Sequence, residues 1–460
     1  MNESEEPESF DKAEFQLEES KIDEIYSLVS QQFQILDYYM EHGTLTFHIQ
    51  TDQNSKEAFL KLYRKLKPIG LLPVLRQEGE REILRVIEKP PAKKSNIKTN
   101  LALFLVTLVT TFFTGYLISR SYGWLDPIFG GLTFMITIMA IVGIHEMGHK
   151  IAARKYEVDA TFPYFIPGPP PPYGIGTFGA VIMQKSPPPN RDSLFDIGAS
   201  GPFAGFIMSL IITIVGLILS PSIFGLPKGP FMPLPILFVF IARLLGLVGV
   251  EKPGNLIILH PIAFSGIIGM IVTMLNLLPV GTLDGGHIAR SITKGKGRTL
   301  LVILSILFVL LTGFYWLIII ILFIALYKHP GPLDDISSLS RGRKLLIPVI
   351  LAILILCGVM VRTPSHELRI SSQPLIHVPF KIYYADSKYY SNQTEWAGIL
   401  AEGVYVISVP TNFSCNGQMY IFLHWNDGDT NSTKTIFLCR NIALIAFYKA
   451  VTNSSSTFYK

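Results

Sequence analysis

The stretch FMITIMAIVGIHEMGHK, residues 134–150, decides how this chain must fold. Eleven residues without a charge run straight into His145, Glu146 and His149, with no proline or polar loop between them. Such a run, extending over residues 128–144, has the composition of a membrane helix. On a helix His145 and His149 lie one turn apart on the same face, where two imidazoles can grip one tetrahedral ion. An ionisable side chain near the bilayer centre costs about 2.5–3.5 kcal/mol on insertion scales, so a cluster of them persists there when a ligand offsets the cost. The plainer alternative is a helix end that emerges into the cytoplasm with solvated histidines.

The rest of the composition agrees with a membrane-embedded chain. Of 460 residues, 49% are hydrophobic and 16% charged, and the mean hydropathy is +0.40, on the apolar side of a soluble globular chain. The formal charge of +5 is small for this length. Basic residues gather at the ends of apolar runs, as positive-inside bias requires, and leave no footprint for nucleic acid. The expected fold is a polytopic α-helical membrane protein of about seven spans. A small α/β domain occupies residues 1–92, a membrane core residues 99–362, and a mostly-β domain residues 363–460. No removable signal peptide is expected, because the acidic start MNESEEPESF lacks a basic n-region and an apolar h-region.

The N-terminal pattern predicts helices over residues 21–32 and 55–66, and strands over 44–50, 71–76 and 82–88, the last two joined by the QEGE turn. A regulatory or substrate-handling role and a plain solubilising cap both fit this domain. A basic linker, residues 93–98, precedes a span at 101–119, and the next span carries HEMGH. With the linker in the cytoplasm, the second span returns to leave Lys150, Arg154 and Lys155 inside. A third span covers residues 195–219, and another residues 260–280. Between them, residues 231–250 read as an interfacial or re-entrant helix on the outer side, since one more crossing would carry the basic stretch LDGGHIARSITKGKGR outside.

Residues 300–327 contain a TGFYW break and read as two short crossings turning near Gly313, and a last span at 345–361 delivers the tail to the exterior. That tail holds four N-x-S/T sequons, at Asn392, Asn412, Asn431 and Asn453, which are used only on an exterior face. Chance sequons are common in polar strand-rich domains; used ones on a membrane-anchored chain would point to an archaeal cell surface. Alternation in VYVISVP and MYIFLHW suggests a β-sandwich-like fold. Cys357 falls in an apolar run as an inert thiol, while Cys415 and Cys439 would pair only on an oxidising face.

A site with two histidines needs a third protein ligand and keeps a fourth position for water. Asp284, in NLLPVGTLDGGH at residues 276–287, sits at the cytoplasmic end of its own span, at a depth similar to HEMGH. Pro279 and the glycines free the backbone from helical geometry and let the carboxylate turn inward. Alone, an aspartate in a Gly-rich turn reads as a helix stop; beside HEMGH it reads as a ligand. Asn276, two turns deeper, could donate a hydrogen bond to the oxyanion of a tetrahedral intermediate. Glu146 could take a proton from water that a metal has acidified toward a pKa of about 7, and pass it to a leaving amine. His287 could steady Asp284, but a histidine at a span end is as readily interfacial, and with His260 and His329 it stays outside the ligand set.

H-E-x-x-H alone is a weak pattern, because five residues with two free positions recur by chance. An H-E-x-x-H span, a central span and an N-x-x-P…L-D-G span in that order resemble the site-2 protease family of intramembrane metalloproteases, over about residues 101–333. The resemblance implies Zn2+ held by His145, His149 and Asp284, with Glu146 as base and Asn276 as an oxyanion or substrate contact. It further implies a core of three spans, a polar cavity opening to the cytoplasm, and membrane-embedded protein substrates cut within their own spans. Residues 162–189, FPYFIPGPPPPYGIGTFGAVIMQKSPPP, resemble that family's membrane-dipping loop. Proline prevents helix there, Gly174, Gly176 and Gly179 suit a hairpin, and an edge such as Thr177 to Met183 could pair with an unwound substrate. A plain Pro-rich cytoplasmic loop is the alternative.

Two rival functions use the same polar residues. A metal or ion transporter is disfavoured by the absence of repeated halves and of further intramembrane acids. An inactive scaffold is disfavoured by the complete set of ligands and base.

Overall fold

A computed structural model describes residues 19–50, 55–90, 96–224, 233–247, 255–315, 317–325, 331–362, 364–384 and 388–451. The acidic start, linker residues 93–95, both ends of the 231–250 run, His329 and Asn453 lie outside them. The chain divides into two compact units: residues 1–111, 139–208 and 272–354 form the first, and 112–138, 209–271 and 355–460 the second.

The first unit opens with α1 (Glu19–Ser30), β1 (Gln34–Glu41), β2 (Thr44–Gln50), α2 (Ser55–Leu66), β3 (Leu71–Glu78) and β4 (Arg81–Glu88). The strands form an antiparallel sheet in the order β1-β2-β4-β3. Helix α2 buries Phe59, Leu62, Tyr63 and Leu66, an i, i+3, i+4, i+7 stripe, in a core with Phe47, Leu72 and Leu84. Strand β1 is absent from the sequence expectation. It lies at the sheet edge with nearly every side chain exposed, so it carries no inward apolar alternation to read. The opposite edge, β3, is covered by residues 333–335. The Leu75 N–H donates to the Leu333 carbonyl at 2.9 Å, the Asp335 N–H donates to the Leu75 carbonyl at 3.2 Å, and the Leu333 side chain enters the sheet's core.

Then follow α3 (Ile97–Tyr122), α4 (Pro127–Lys155), the hairpin β5 (Tyr164–Pro167) and β6 (Thr177–Val181), and α5 (Arg191–Ile218). The remaining helices are α6 (Ile236–Leu244), α7 (Pro261–Leu277), α8 (Asp284–Ile292), α9 (Lys296–Thr312), α10 (Leu317–Ala325), α11 (Arg341–Lys344) and α12 (Ile347–Gly358). Among the described residues, three helices are long and apolar enough to cross a membrane: α3, α4 and α5. Their outward faces carry bare apolar side chains, Leu105 and Val109 on α3 and Ile207, Ile211 and Ile218 on α5, a surface suited to lipid rather than water. Helix α7 is apolar but shorter, at 17 residues. Helices α9 and α10 break at Gly313, which caps α9 in the left-handed region.

Polar pairs join the N-terminal sheet to the loops around α4 and α5 within the first unit. Lys89 meets Asp159 at 2.9 Å and Lys56 meets Asp192 at 3.0 Å, while Arg343 of α11 meets Asp196 of α5 at 2.7 Å.

The C-terminal part of the second unit is strand-rich. One sheet has the order Trp396–Ala401, Ser365–Gln373, Ile442–Ala450, Gln418–Trp425, Asn412–Cys415, and the other Lys388–Gln393, Pro379–Tyr384, Gly403–Ser408, Thr433–Leu438. Trp425 and Leu368 from the first and Phe380, Ile407 and Ile436 from the second share one buried core, as in a sandwich. Cys415 and Cys439 are both free, and Cys357 is buried in α12.

Candidate metal centre

Helix α4 stays regular through residues 145–149, so both histidines fall on one face, and His145, Glu146 and His149 are all buried. Their donor atoms lie within 4.8 Å of one another. Asp284 arrives from a separate element. It is the first residue of α8, set there by the non-helical turn that follows α7, and its side chain is only 16% exposed.

The three imidazole and carboxylate groups converge at one spacing. His145 Nε2 lies 3.2 Å from His149 Nε2 and 3.2 Å from Asp284 Oδ2, while His149 Nε2 lies 3.2 Å from Asp284 Oδ1. A tetrahedral zinc ion with bonds of about 2.0–2.1 Å holds its ligand atoms about 3.3–3.4 Å apart, close to the spacing among these two imidazoles and the carboxylate.

Protons follow from the partners. His149 Nδ1 lies 2.7 Å from the Ile197 carbonyl, which can only accept, so Nδ1 carries a proton and in the neutral ring Nε2 turns a lone pair inward. The Asn276 amide donates to His145 Nε2 at 3.3 Å, which marks that nitrogen too as an acceptor. Two imidazole lone pairs and a carboxylate aimed at one point fit a divalent cation.

Helix α5 comes close because it presents glycine. A methyl group at Gly201 would overlap the His149 ring, one at Gly205 would meet His145 Nδ1 at 3.0 Å, and one at Gly198 would meet the His287 Cβ at 2.8 Å. On α4, Gly148 lies where a Cβ would press on the Ser200 carbonyl at 2.6 Å. Small residues at this spacing let two membrane helices approach backbone to backbone. The signal is present in the sequence as GASGPFAG, residues 198–205, a run of small residues; the Ile197 carbonyl has no side-chain signature at all.

The hairpin approaches the base. Strands β5 and β6 pair antiparallel, with Gly176 and Gly179 at φ +84° and +98°, and the Thr177 hydroxyl donates to the Ile166 carbonyl at 2.9 Å. Gly174 packs against the Pro169 carbonyl in the connecting turn. Beyond β6, the Ile182 backbone N–H faces the Glu146 carboxylate. The structure therefore gathers His145, Glu146, His149, Asp284 and Asn276 in one place. Gly174, Gly176, Thr177 and Gly179 stay in the hairpin, which touches the cluster through Ile182.

A buried H-E-x-x-H motif met by a carboxylate from a second helix has the donor set of a metallopeptidase-type centre, on a chain with helices long and apolar enough to cross a membrane. Residues 133–320 match the model of Peptidase family M50. Among similar proteins is "Probable zinc metalloprotease EGY2, chloroplastic" of Arabidopsis thaliana, 32% identical over 45% of this chain and 37% of that protein. "Probable zinc metalloprotease EGY1, chloroplastic" of Oryza sativa subsp. japonica is 36% identical over 33% of this chain and 26% of its own length. Its namesake in Arabidopsis thaliana is 29% identical over 48% and 41%. The chain thus spans well under half the length of these relatives. They are plant proteins and lend the archaeal expectation no support. No solved structure matches the chain.

Proposed function

We propose that the protein is an intramembrane zinc metalloprotease that hydrolyses peptide bonds within or near the transmembrane segments of membrane-anchored proteins. The observation that carries this reading is the set of three 3.2 Å separations among His145, His149 and Asp284, with the Glu146 carboxylate beside them. Zinc held by those three residues supplies Lewis-acid chemistry, acidifying water and polarising a carbonyl at neutral pH.

Glu146, beside the Ile182 backbone, receives the proton of the attacking water and hands it to the leaving amine. The Asn276 amide, at the rim of the ligand set, donates to the oxyanion as it forms. A helical substrate shields its carbonyls, so the segment to be cut must first unwind. The free edge of β6 offers backbone groups for that strand, and the exposed Phe178 and Met183 dip the hairpin into lipid. In the full topology we read about seven spans, α9, α10 and α12 among the crossings, with the N-terminal domain cytoplasmic and the C-terminal strand domain on the exterior face.

The test is cleavage of a membrane-anchored reporter by the purified chain in proteoliposomes. Glu146→Gln is expected to keep its zinc and lose cleavage by a factor on the order of 10²–10⁴. Cleavage at the wild-type rate would remove Glu146 from the chemistry, and zinc uptake into the vesicles that survives in this variant would favour a transporter.

A further inference from the structure

Asp335, in the segment between α10 and α11, is buried at 6% exposure and gathers distant parts of the first unit. Its carboxylate receives both arms of the Arg290 guanidinium, at 3.0 and 2.9 Å. Lys294 reaches Asp335 Oδ2 at 3.1 Å and the Asp335 carbonyl at 2.7 Å. Arg191 donates to the same carbonyl at 3.0 Å and to Oδ1 at 3.3 Å. On its backbone side Asp335 is already hydrogen-bonded to the edge of β3.

What these cations belong to gives the network its meaning. Helix α8 begins at Asp284 and carries Arg290 in its last turn. Helix α5 begins at Arg191 and, six residues on, presents the Ile197 carbonyl that sets the His149 tautomer. One carboxylate therefore ties together two helices, one carrying the Asp284 ligand and the other the carbonyl that orients His149. Fork-to-fork pairing of arginine with carboxylate fixes direction as well as distance. Helix α8 is only nine residues, about 14 Å, so a tilt at one end is felt at the other. Without the carboxylate, three cations would face one another with nothing between them, and their repulsion would drive α5 and α8 apart.

We propose that Asp335 is a positioning residue for the metal centre, acting through Arg290 on Asp284 and through Arg191 on the Ile197 carbonyl, and drawing the N-terminal sheet into the same network. The proposal rests on the metal reading of the site, and its test separates the two. The full chain in detergent is loaded with zinc; zinc loss to a chelator and backbone hydrogen exchange over residues 284–292 are then followed. Asp335→Asn and Arg290→Ala are expected to lose zinc at least about ten-fold faster and to lose exchange protection in α8. Asp335→Glu is expected to recover most of that retention. Arg85→Ala, which breaks ion pairs confined to the N-terminal sheet, keeps wild-type values. If Asp335→Asn fails to fold, Arg290→Ala carries the test. Wild-type behaviour in the Asp335 and Arg290 variants, or equal loss in Arg85→Ala, overturns the proposal. A wild-type chain that retains no zinc overturns the metal reading instead, and exchange in α8 still decides whether Asp335 fixes that helix.

Discussion

Two buried clusters of the first unit use the same kinds of charge and reach opposite outcomes. Around Asp335, one carboxylate meets Arg290, Arg191 and Lys294, so donors face an acceptor and the group completes itself. Around Asp284, the carboxylate oxygens face His145 Nε2 and His149 Nε2, while the His149 ring proton is committed elsewhere, to Ile197. With both rings neutral, acceptor faces acceptor there at 3.2 Å, an arrangement that suits a bound cation. The contrast teaches that spacing alone does not distinguish an ion pair from a ligand set. The proton inventory of the partners does.

The largest effect that sharpens this contrast concerns Asn276. Replacing it with Ala is expected to lower kcat about 10²–10³-fold with zinc content unchanged, because its amide touches the rim of the ligand set rather than completing it. Loss of zinc in the same variant would move Asn276 from substrate to ligand support. Next in size is Gly201→Ala, whose methyl group overlaps the His149 ring. A destabilisation of about 1–3 kcal/mol is expected from thermal unfolding, with reduced zinc per chain, as for overpacking in any tight contact. Unchanged zinc and stability would show that α5 does not press on His149.

The smallest effect is on the other cluster and depends on acid. Burial pushes the Asp335 carboxyl up, but the Arg290 guanidinium and Lys294 ammonium more than reverse it and leave it below its ordinary value. Arg191, Arg76 and Asp334 are the other charges facing this group. Asp159 is likewise lowered, first by its hydrogen bond from Lys89. A lowered carboxylate contributes its full stability above the ordinary value of about 3.9 and loses it as pH falls through the folded value. Protection of the N-terminal sheet against hydrogen exchange, relative to intrinsic rates at each pH, is therefore expected to stay flat down to about pH 5 and to fall only below about pH 4. A loss between neutrality and about pH 6 would instead implicate a histidine.

Much of this was legible in the chain because it is local. H-E-x-x-H spacing places two imidazoles on one helical face whatever surrounds it, and the order of motifs singled out Asp284 and Asn276. The strand alternation of VYVISVP and MYIFLHW foreshadowed the C-terminal sheets, since both of their inner faces are apolar. Strand β1 was illegible because an exposed edge strand needs no apolar face. The Ile197 carbonyl and the Ile182 N–H were illegible because every residue has a backbone. Asp335 lies 45 residues from Arg290 and 144 from Arg191, and only tertiary structure brings them together.

X-ray absorption at the zinc edge of the purified wild-type chain most directly tests the claim that the Asp284 cluster is a ligand set. The expected result is stoichiometric zinc with scattering from two imidazoles and a carboxylate oxygen at about 2.0–2.1 Å. A chain that holds no zinc, or zinc without imidazole scattering, would contradict it.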